Sequence, residues 1–441
     1  MTIFKKTPQV SCFTDTSLYL RQIDKLENLL LKQKKIYSVS QDGVGFFNFS
    51  FEKKRVAKLL AKTVKKGQYQ FQPVEFNSNS YQDSQTVFCI TDQIIHFALA
   101  ELLGEQLQSI VPPYVVADPA AESIVILAEN CAKYIKETQS SNNNSGIYVW
   151  HASIAGYPDN IKVTTSSPIW QLLKQLHPHQ ADDRATDIEW SLLEQAIRPI
   201  LLTKEGLPYQ SLTILNVDKE ITAILDCLYA HAFDTYLANI SGGFYARSSE
   251  EFIFLHSDLN VIQAVAAQAL QILTVLGLKL LVSRTERYYL VDNTSPENAE
   301  MVKYQQEYKV KFANFWIYPD GTLGLTQTSL KQFLHKLQQR ALATHKLLGN
   351  VSNTILGRAI CQVFNHTMQP KQAFAEPTIN LILKYITNKQ QLQILDRKIA
   401  CIIAEVVSDL SGQVALKQIP CWKINKEWGL QKLVDLKKQI I

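Results

Sequence analysis

The stretch Gly243-Phe244-Tyr245-Ala246-Arg247-Ser248-Ser249-Glu250-Glu251-Phe252-Ile253-Phe254-Leu255-His256 decides the fold. Two apolar and aromatic runs, 243–247 and 251–256, flank the turn residues Ser248-Ser249-Glu250, the pattern of a β-hairpin. Upstream, the polar loop 137–145 delivers into a β-rich run, Gly146-Ile147-Tyr148-Val149-Trp150. Downstream come a long helix over 259–276, the segments 277–280 and 287–291, and a second hairpin over 313–325 turning at Asp320-Gly321. Tyr288, Tyr289, Trp316 and Tyr318 fall at strand positions and read as core rather than stacking platforms. Helical periodicity marks 17–36, 51–66 with Gly67 as its stop, 92–109, 120–138 and 165–200. Strands embedded among helices make the class α+β.

The chain has 441 residues, 46% hydrophobic and 19% charged, which suffices for a large core and excludes disorder as the main state. Its seven cysteines are scattered without a CxxC or zinc spacing, as expected of reduced thiols in a cytoplasmic protein. The N-terminus lacks a signal-peptide apolar run, and the most apolar stretch, 261–282, is striped with Gln263, Gln268, Gln271 and Lys279. It reads as a packed helix, and no membrane association is expected. Net charge is +5, but it is concentrated. From Gly321 to Ala375 there is no acid, against Lys331, Lys336, Arg340, Lys346, Arg358 and Lys371 and three histidines. The helix 51–66 carries seven basic residues and one acid, and taken alone reads as a solvated face. Together they suggest a phosphate-facing surface.

In order, the segments resemble the bacterial reverse transcriptases related to group II introns and retrons. Gln41-Asp42-Gly43-Val44 is similar to the "DGV" before the first fingers helix. Gly67-Gln68-Tyr69-Gln70-Phe71-Gln72-Pro73 is similar to "G-x-Y-x-x-x-P", and 86–95, with Thr91-Asp92-Gln93-Ile94, to "I-p-t-x-x-D-R-I-V". Residues 147–161 resemble motif A, Gly206-Leu207-Pro208-Tyr209-Gln210-Ser211 motif B, and 244–253 motif C, "Y-x-R-Y-x-D-D-F-i". Leu276-Gly277-Leu278, the 312–325 segment and Trp428-Gly429-Leu430 resemble later family elements. The resemblance implies a right-hand polymerase architecture: helical fingers over 1–145, and an antiparallel palm sheet with helices over 146–325, with a helical insertion near 165–200. A helical thumb-like region follows over 326–441.

The catalytic positions depart from the family. Nucleotidyl transfer needs two divalent cations ~3.5–4 Å apart, held by carboxylates. The family places one Asp at the end of the motif A strand and two at the motif C turn. Ser153 stands at the first position, and Glu250 and Glu251 at the others. Asp159 matches a later motif position and reads as a turn or cap residue. Tyr209 and Gln210 replace the Gln and Gly of motif B, Ser84-Gln85 stands where a basic residue meets the triphosphate, and Gln93 replaces an Arg.

The reading is therefore a catalytically degenerate reverse-transcriptase-like protein. It would bind RNA or an RNA/DNA hybrid through a basic cleft, with Gly206, Pro208, Tyr209, Gln210, Lys331, Lys336, Arg340 and Lys346 as contacts and no cofactor. It could equally serve as a non-catalytic partner of an active reverse transcriptase, a context that the resemblance implies. A separate alternative is a structural component of an antiviral-defence system without nucleic-acid affinity. The alternative is an active enzyme with Mg²⁺ on Glu250 and Glu251, helped by Asp159 or Asp187. Unrelated chemistry at Ser153 with His151, or at His177 and His179 with Asp182 and Asp183, lacks a supporting frame, and no phosphate-binding glycine loop occurs.

Overall fold

The computed structural model describes residues 13, 15–32, 40, 43–75, 88–117, 121–141, 147–176, 184–203, 205–214, 219–290, 305–307, 309–368 and 385–438. Ser84, Gln85, the His177–Asp183 segment and Lys371 lie outside them. In chain order the elements begin with α1 (Thr16–Lys32), α2 (Phe46–Ser50), α3 (Lys53–Lys65), β1 (Val74–Glu75), α4 (Ile90–Leu107), β2 (Val115–Val116), α5 (Ala121–Ser141) and β3 (Ile147–Ser153). Next are α6 (Pro168–Leu176), α7 (Arg184–Ile197), β4 (Ile200–Leu202), β5 (Pro208–Gln210), α8 (Lys219–Tyr229) and α9 (His231–Ala238). Then follow β6 (Phe244–Ser248), β7 (Glu251–His256), α10 (Leu259–Val275), β8 (Glu286–Leu290), β9 (Gln305–Glu307), β10 (Val310–Phe312), β11 (Phe315–Ile317), β12 (Leu323–Leu325), α11 (Gln327–Leu348) and α12 (Asn353–Met368). The helices Lys389–Ser408, Gly412–Gln418, Cys421–Lys426 and Leu433–Lys438 complete the chain.

The chain divides into two units. The first comprises Met1–Asp118, Ile154–Asn239 and Gln268–Leu280. It is mainly helical, and α4 is its axis. Ile94, Ile95, Ala98, Leu99, Leu102 and Leu103 are buried on one side and Phe97, Ala100 and Leu107 on the other, so the helix is covered around its circumference. The helix α3 ends as its sequence predicts: Gly67 (φ +68°) donates to the Val64 carbonyl at 2.8 Å, in a conformation that glycine adopts without strain. A small sheet runs β1-β4-β5, with β4 and β5 antiparallel.

The second unit comprises Pro119–Ser153, Ile240–Ala267 and Leu281–Ile441. Its sheet has the order β6-β7-β3-β8-β9. The pairs β6/β7, β7/β3 and β3/β8 are antiparallel, and β8/β9 is parallel. All seven residues of β3 are buried, so the Ile-Tyr-Val-Trp-His-Ala-Ser strand is covered on both faces. Phe252, Phe254, Ile253 and Leu255 on β7 are fully buried beside it. A meander β10-β11-β12 follows. Its predicted Asp320-Gly321 turn is present, with Gly321 at φ +75° and Asp320 accepting from the Thr322 amide at 2.8 Å. Ala313 and Asn314, expected to open the first strand of that hairpin, instead form an additional tight turn between β10 and β11. Their φ values of +50° and +70° suit a two-residue primed turn.

Helices α11 and α12 and the helix Lys389–Ser408 make up the remainder of this unit's core. Among the described residues no single helix is long and apolar enough to cross a membrane. One bent pair, Lys389–Ser408 with Gly412–Gln418, passes by length and composition, but it breaks by 77°. The first helix of that pair buries Leu392, Leu395, Ile399, Ile403 and Val407 within the protein.

Candidate functional site: the end of the β3/β7 strand pair

Strand alternation puts Val149, His151 and Ser153 on one face of β3. The register pairs Ser153 with Glu251, His151 with Ile253 on β7, and His151 with Glu286 on β8. Ser153 is the last residue of β3, and Glu250 and Glu251 sit where the β6/β7 turn enters β7. The three motif positions that the sequence singled out are therefore neighbours at one end of the sheet.

The turn is held from within. Ser249 has φ +51°, and the fully buried Arg247 donates from Nη1 to its carbonyl at 2.8 Å. An arginine with no exposure is tolerated only with its donors engaged.

The carboxylate of Glu251 is already committed. Its Oε1 lies 2.8 Å from Nε2 of His151, whose side chain is 6% exposed. On the other side of the ring, Nδ1 is 3.8 Å from Glu286 Oε2, an ion-pair distance too long for a hydrogen bond. Burial works against a charged imidazole, but the Glu251 bond and the nearby charges of Glu251 and Glu286 outweigh it and raise the pKa of His151. Burial pushes the Glu251 carboxyl up. The His151 bond and charge, Lys311 on β10 and the Ala313 amide overcome this and hold it below the ordinary carboxylate range. Glu286 is lowered by its interaction with His151, against a smaller burial cost. The arrangement is a carboxylate–imidazole–carboxylate row with a lysine beside it, and the Glu251 oxygen that bonds His151 is turned to the ring rather than left for a divalent cation. Among the described residues no three His, Cys, Asp or Glu side chains form a group that could hold a metal ion.

The motif B residues belong to the first unit. Gly206 (φ +78°) forms the turn between β4 and β5, with its amide donating to the Thr203 carbonyl at 2.9 Å. Pro208, Tyr209 and Gln210 are exposed on β5, and Gln210 Oε1 accepts from Arg198 Nη2 at 2.9 Å. Asp159 and Asp187 also lie in the first unit. Two further resemblance segments meet there. Buried Asp92 accepts from Tyr69 Oη at 2.6 Å and from the Gln72 amide at 3.1 Å, tying 67–74 to the start of α4. Gln93, at the family's Arg position, turns back to donate to the Phe88 carbonyl at 2.8 Å.

Of the cations on α11, Lys331 and Lys346 share one exposed face with His335, Gln339 and Leu342. Arg340 is half-buried on the opposite side and donates to Thr367 Oγ1 of α12, and Lys336 lies between the two faces.

Sequence reading did not anticipate the partner of Glu251. His151 lies 100 residues away along the chain, and only the period-two alternation placing it with Ser153 offered a clue. It also missed Phe51 and Phe47 at the head of α3, which are 75% and 42% exposed.

No family model matches the chain, and no curated protein matches it. Among solved structures it is similar to a telomerase from Candida albicans in complex with a fragment of telomeric RNA, at 12% identity and a TM-score of 0.39, over 79% of this chain and 56% of that one. A Candida tropicalis telomerase truncated from its C-terminal domain is 10% identical with a TM-score of 0.40, over 64% of this chain and 51% of that one. The apo telomerase of Candida tropicalis is 12% identical with a TM-score of 0.39, over 87% and 64%. The chain thus spans about half to two thirds of the length of these proteins. A likeness at this level establishes neither a shared fold nor a shared activity.

Proposed function

We propose that this chain is a reverse-transcriptase-like protein whose palm has lost nucleotidyl transfer, and that it acts by holding RNA or an RNA/DNA hybrid, alone or beside an active reverse transcriptase. The observation that carries the proposal is the end of the β3/β7 pair. Ser153, Glu250 and Glu251 occupy the positions where the family gathers its aspartates, yet Ser153 is neutral and Glu251 is bonded to His151 at 2.8 Å. Two-metal catalysis needs carboxylate oxygens turned to the ions, and a hydroxyl is a poor substitute for a carboxylate as a magnesium ligand. In this reading the chain uses no Mg²⁺ for chemistry.

Nucleic-acid holding is supported by uncompensated cations in each unit: Lys54, Lys58, Lys62 and Lys65 on α3 of the first, and Lys331 and Lys346 on α11 of the second. Such binding is dominated by phosphates and counterion release. The test is fluorescence anisotropy of labelled RNA and of an RNA/DNA hybrid against the purified protein. Binding at about 50 mM salt that weakens steeply by about 200 mM is expected. Absence of affinity at about 50 mM, or affinity indifferent to salt, overturns the proposal.

A further inference from the structure

The helix α3 sorts its cations. Lys53 turns inward, where it is bonded to Asp24 and Glu27 of α1 and its pKa is raised by them. Lys54, Lys58, Lys62 and Lys65 are exposed. At 100° per residue their side chains fall within about 80° of arc, and at 1.5 Å per residue they run for about 16 Å. The adjacent Arg55 is paired with Glu52 at 3.2 Å, so the one acid of the segment 51–66 is spent on a neighbour. Apolar positions Ala57, Leu60, Ala61 and Val64 are buried on a separate, adjoining arc, so the lysine face is not needed to close the core.

At the head of the stripe stand two aromatic rings. Phe47 and Phe51 pack edge to face with centroids 5.2 Å apart, and Phe51 is 75% exposed. A large apolar ring left in water costs free energy that burial elsewhere would recover. Beside a row of unneutralised ammonium groups, it forms the combination that single strands use: charges that follow the phosphates and ring faces on which bases stack. A duplex hides its base faces and cannot use Phe51. At the stacked spacing of about 3.4 Å per phosphate, the stripe matches about five nucleotides of one strand.

We propose that the α2–α3 face is a docking track for single-stranded nucleic acid, with Lys54, Lys58, Lys62 and Lys65 on the phosphates and Phe51, braced by Phe47, as the stacking platform. The inference rests on the nucleic-acid reading above and locates it on one surface of the first unit. Charge complementarity selects a polyanion, and the exposed aromatic pair selects one with free base faces.

The experiment measures binding of a labelled ten-nucleotide single strand, and of a blunt duplex of the same sequence, across about 50–200 mM salt. It uses the full chain, the variant Lys54→Gln/Lys58→Gln/Lys62→Gln/Lys65→Gln, and Phe51→Ala. Each phosphate contact on a single strand contributes about 0.7 to the slope of log affinity against log salt. The lysine variant is expected to lose about 3 from that slope, so the wild type weakens about fifty-fold more than the variant across the fourfold rise in salt. Phe51→Ala is expected to bind the single strand about five- to a hundredfold more weakly with its salt slope unchanged. All substituted side chains are exposed, and circular dichroism of each variant checks that folding is intact. If the wild type binds but both variants match it, the track is elsewhere and the inference fails while the broader reading stands. If the wild type binds no nucleic acid, the broader reading fails first. Equal affinity for duplex and single strand, or sedimentation of the wild type but not the lysine variant with phosphatidylserine vesicles in preference to the oligonucleotide, overturns the assignment to a single strand.

Discussion

Replacing Glu251 by Gln removes a charge and nearly preserves the shape, so it isolates the electrostatics of the His151 row. The bond is 2.8 Å long, and the two side chains are 6% and 24% exposed, which keeps solvent screening moderate. A hydrogen bond between charged partners contributes about 1.5–3 kcal/mol, and the neutral amide retains one of about 0.5–1.5 kcal/mol. The expected loss is about 1–1.5 kcal/mol, or about tenfold in an opening equilibrium. Native-state hydrogen exchange at the amides of β3 and β7 reads that opening directly and does not require two units to unfold as one. At about pH 6 the variant should open about tenfold more readily. His151 has a raised folded-state pKa, so its contribution is complete below its ordinary value of 6.5 and is lost as pH rises through the raised value. Glu251 and Glu286 are lowered, so theirs is present above the ordinary 4.5 and is lost as pH falls through their lowered values. The difference between wild type and variant should therefore be largest between about pH 4.5 and 6.5 and shrink toward about pH 9. Opening equilibria within about twofold at pH 6, or a gap that widens on going to pH 9, would show that the charged His151–Glu251 bond does not hold the strands together.

Two further substitutions probe the frame around the sites. In Gly357→Ala the new Cβ would overlap the ring of Trp428, which is 4% exposed and has no room to swing clear. Alanine gains about 1 kcal/mol of helix propensity, but overpacking costs about 1–3 kcal/mol, so the thermal midpoint should fall and Trp fluorescence should change. A midpoint at or above wild type contradicts this. Asp92→Ala strands two donors, Tyr69 Oη and the Gln72 amide, at a cost of about 2–3 kcal/mol. Limited proteolysis should then cut within 67–74 where the wild type resists, and equal resistance would show that the tie is dispensable.

The hairpin 244–256 was legible in the sequence because turn residues break two apolar runs, and the pairing of β6 with β7 follows from that pattern alone. The stop at Gly67 and the Asp320-Gly321 turn were legible for the same local reason. The turn at Ala313-Asn314 was not, since alanine carries no signal for a positive φ, and only the β10/β11 register requires one. The segment 165–200, read as one helical stretch, holds α6 and α7 and reaches β4 at Ile200. At the site, the proximity of Ser153 to Glu251 could be expected from the resemblance. The His151 bond could not, because a histidine in an apolar strand reads as core until the strand 100 residues away supplies its partner. The acid-free run 321–375 suggested one basic surface. Helical geometry divides it instead, placing Lys331 and Lys346 on one exposed face and turning Arg340 to Thr367.

If the motif positions persist without the chemistry, primer extension by the purified protein on an RNA template, with all four dNTPs and either Mg²⁺ or Mn²⁺, should give no template-directed incorporation above a protein-free control, while the same preparation binds the template. Metal-dependent incorporation that follows the template and disappears in Glu250→Ala/Glu251→Ala would show that the palm is an active polymerase.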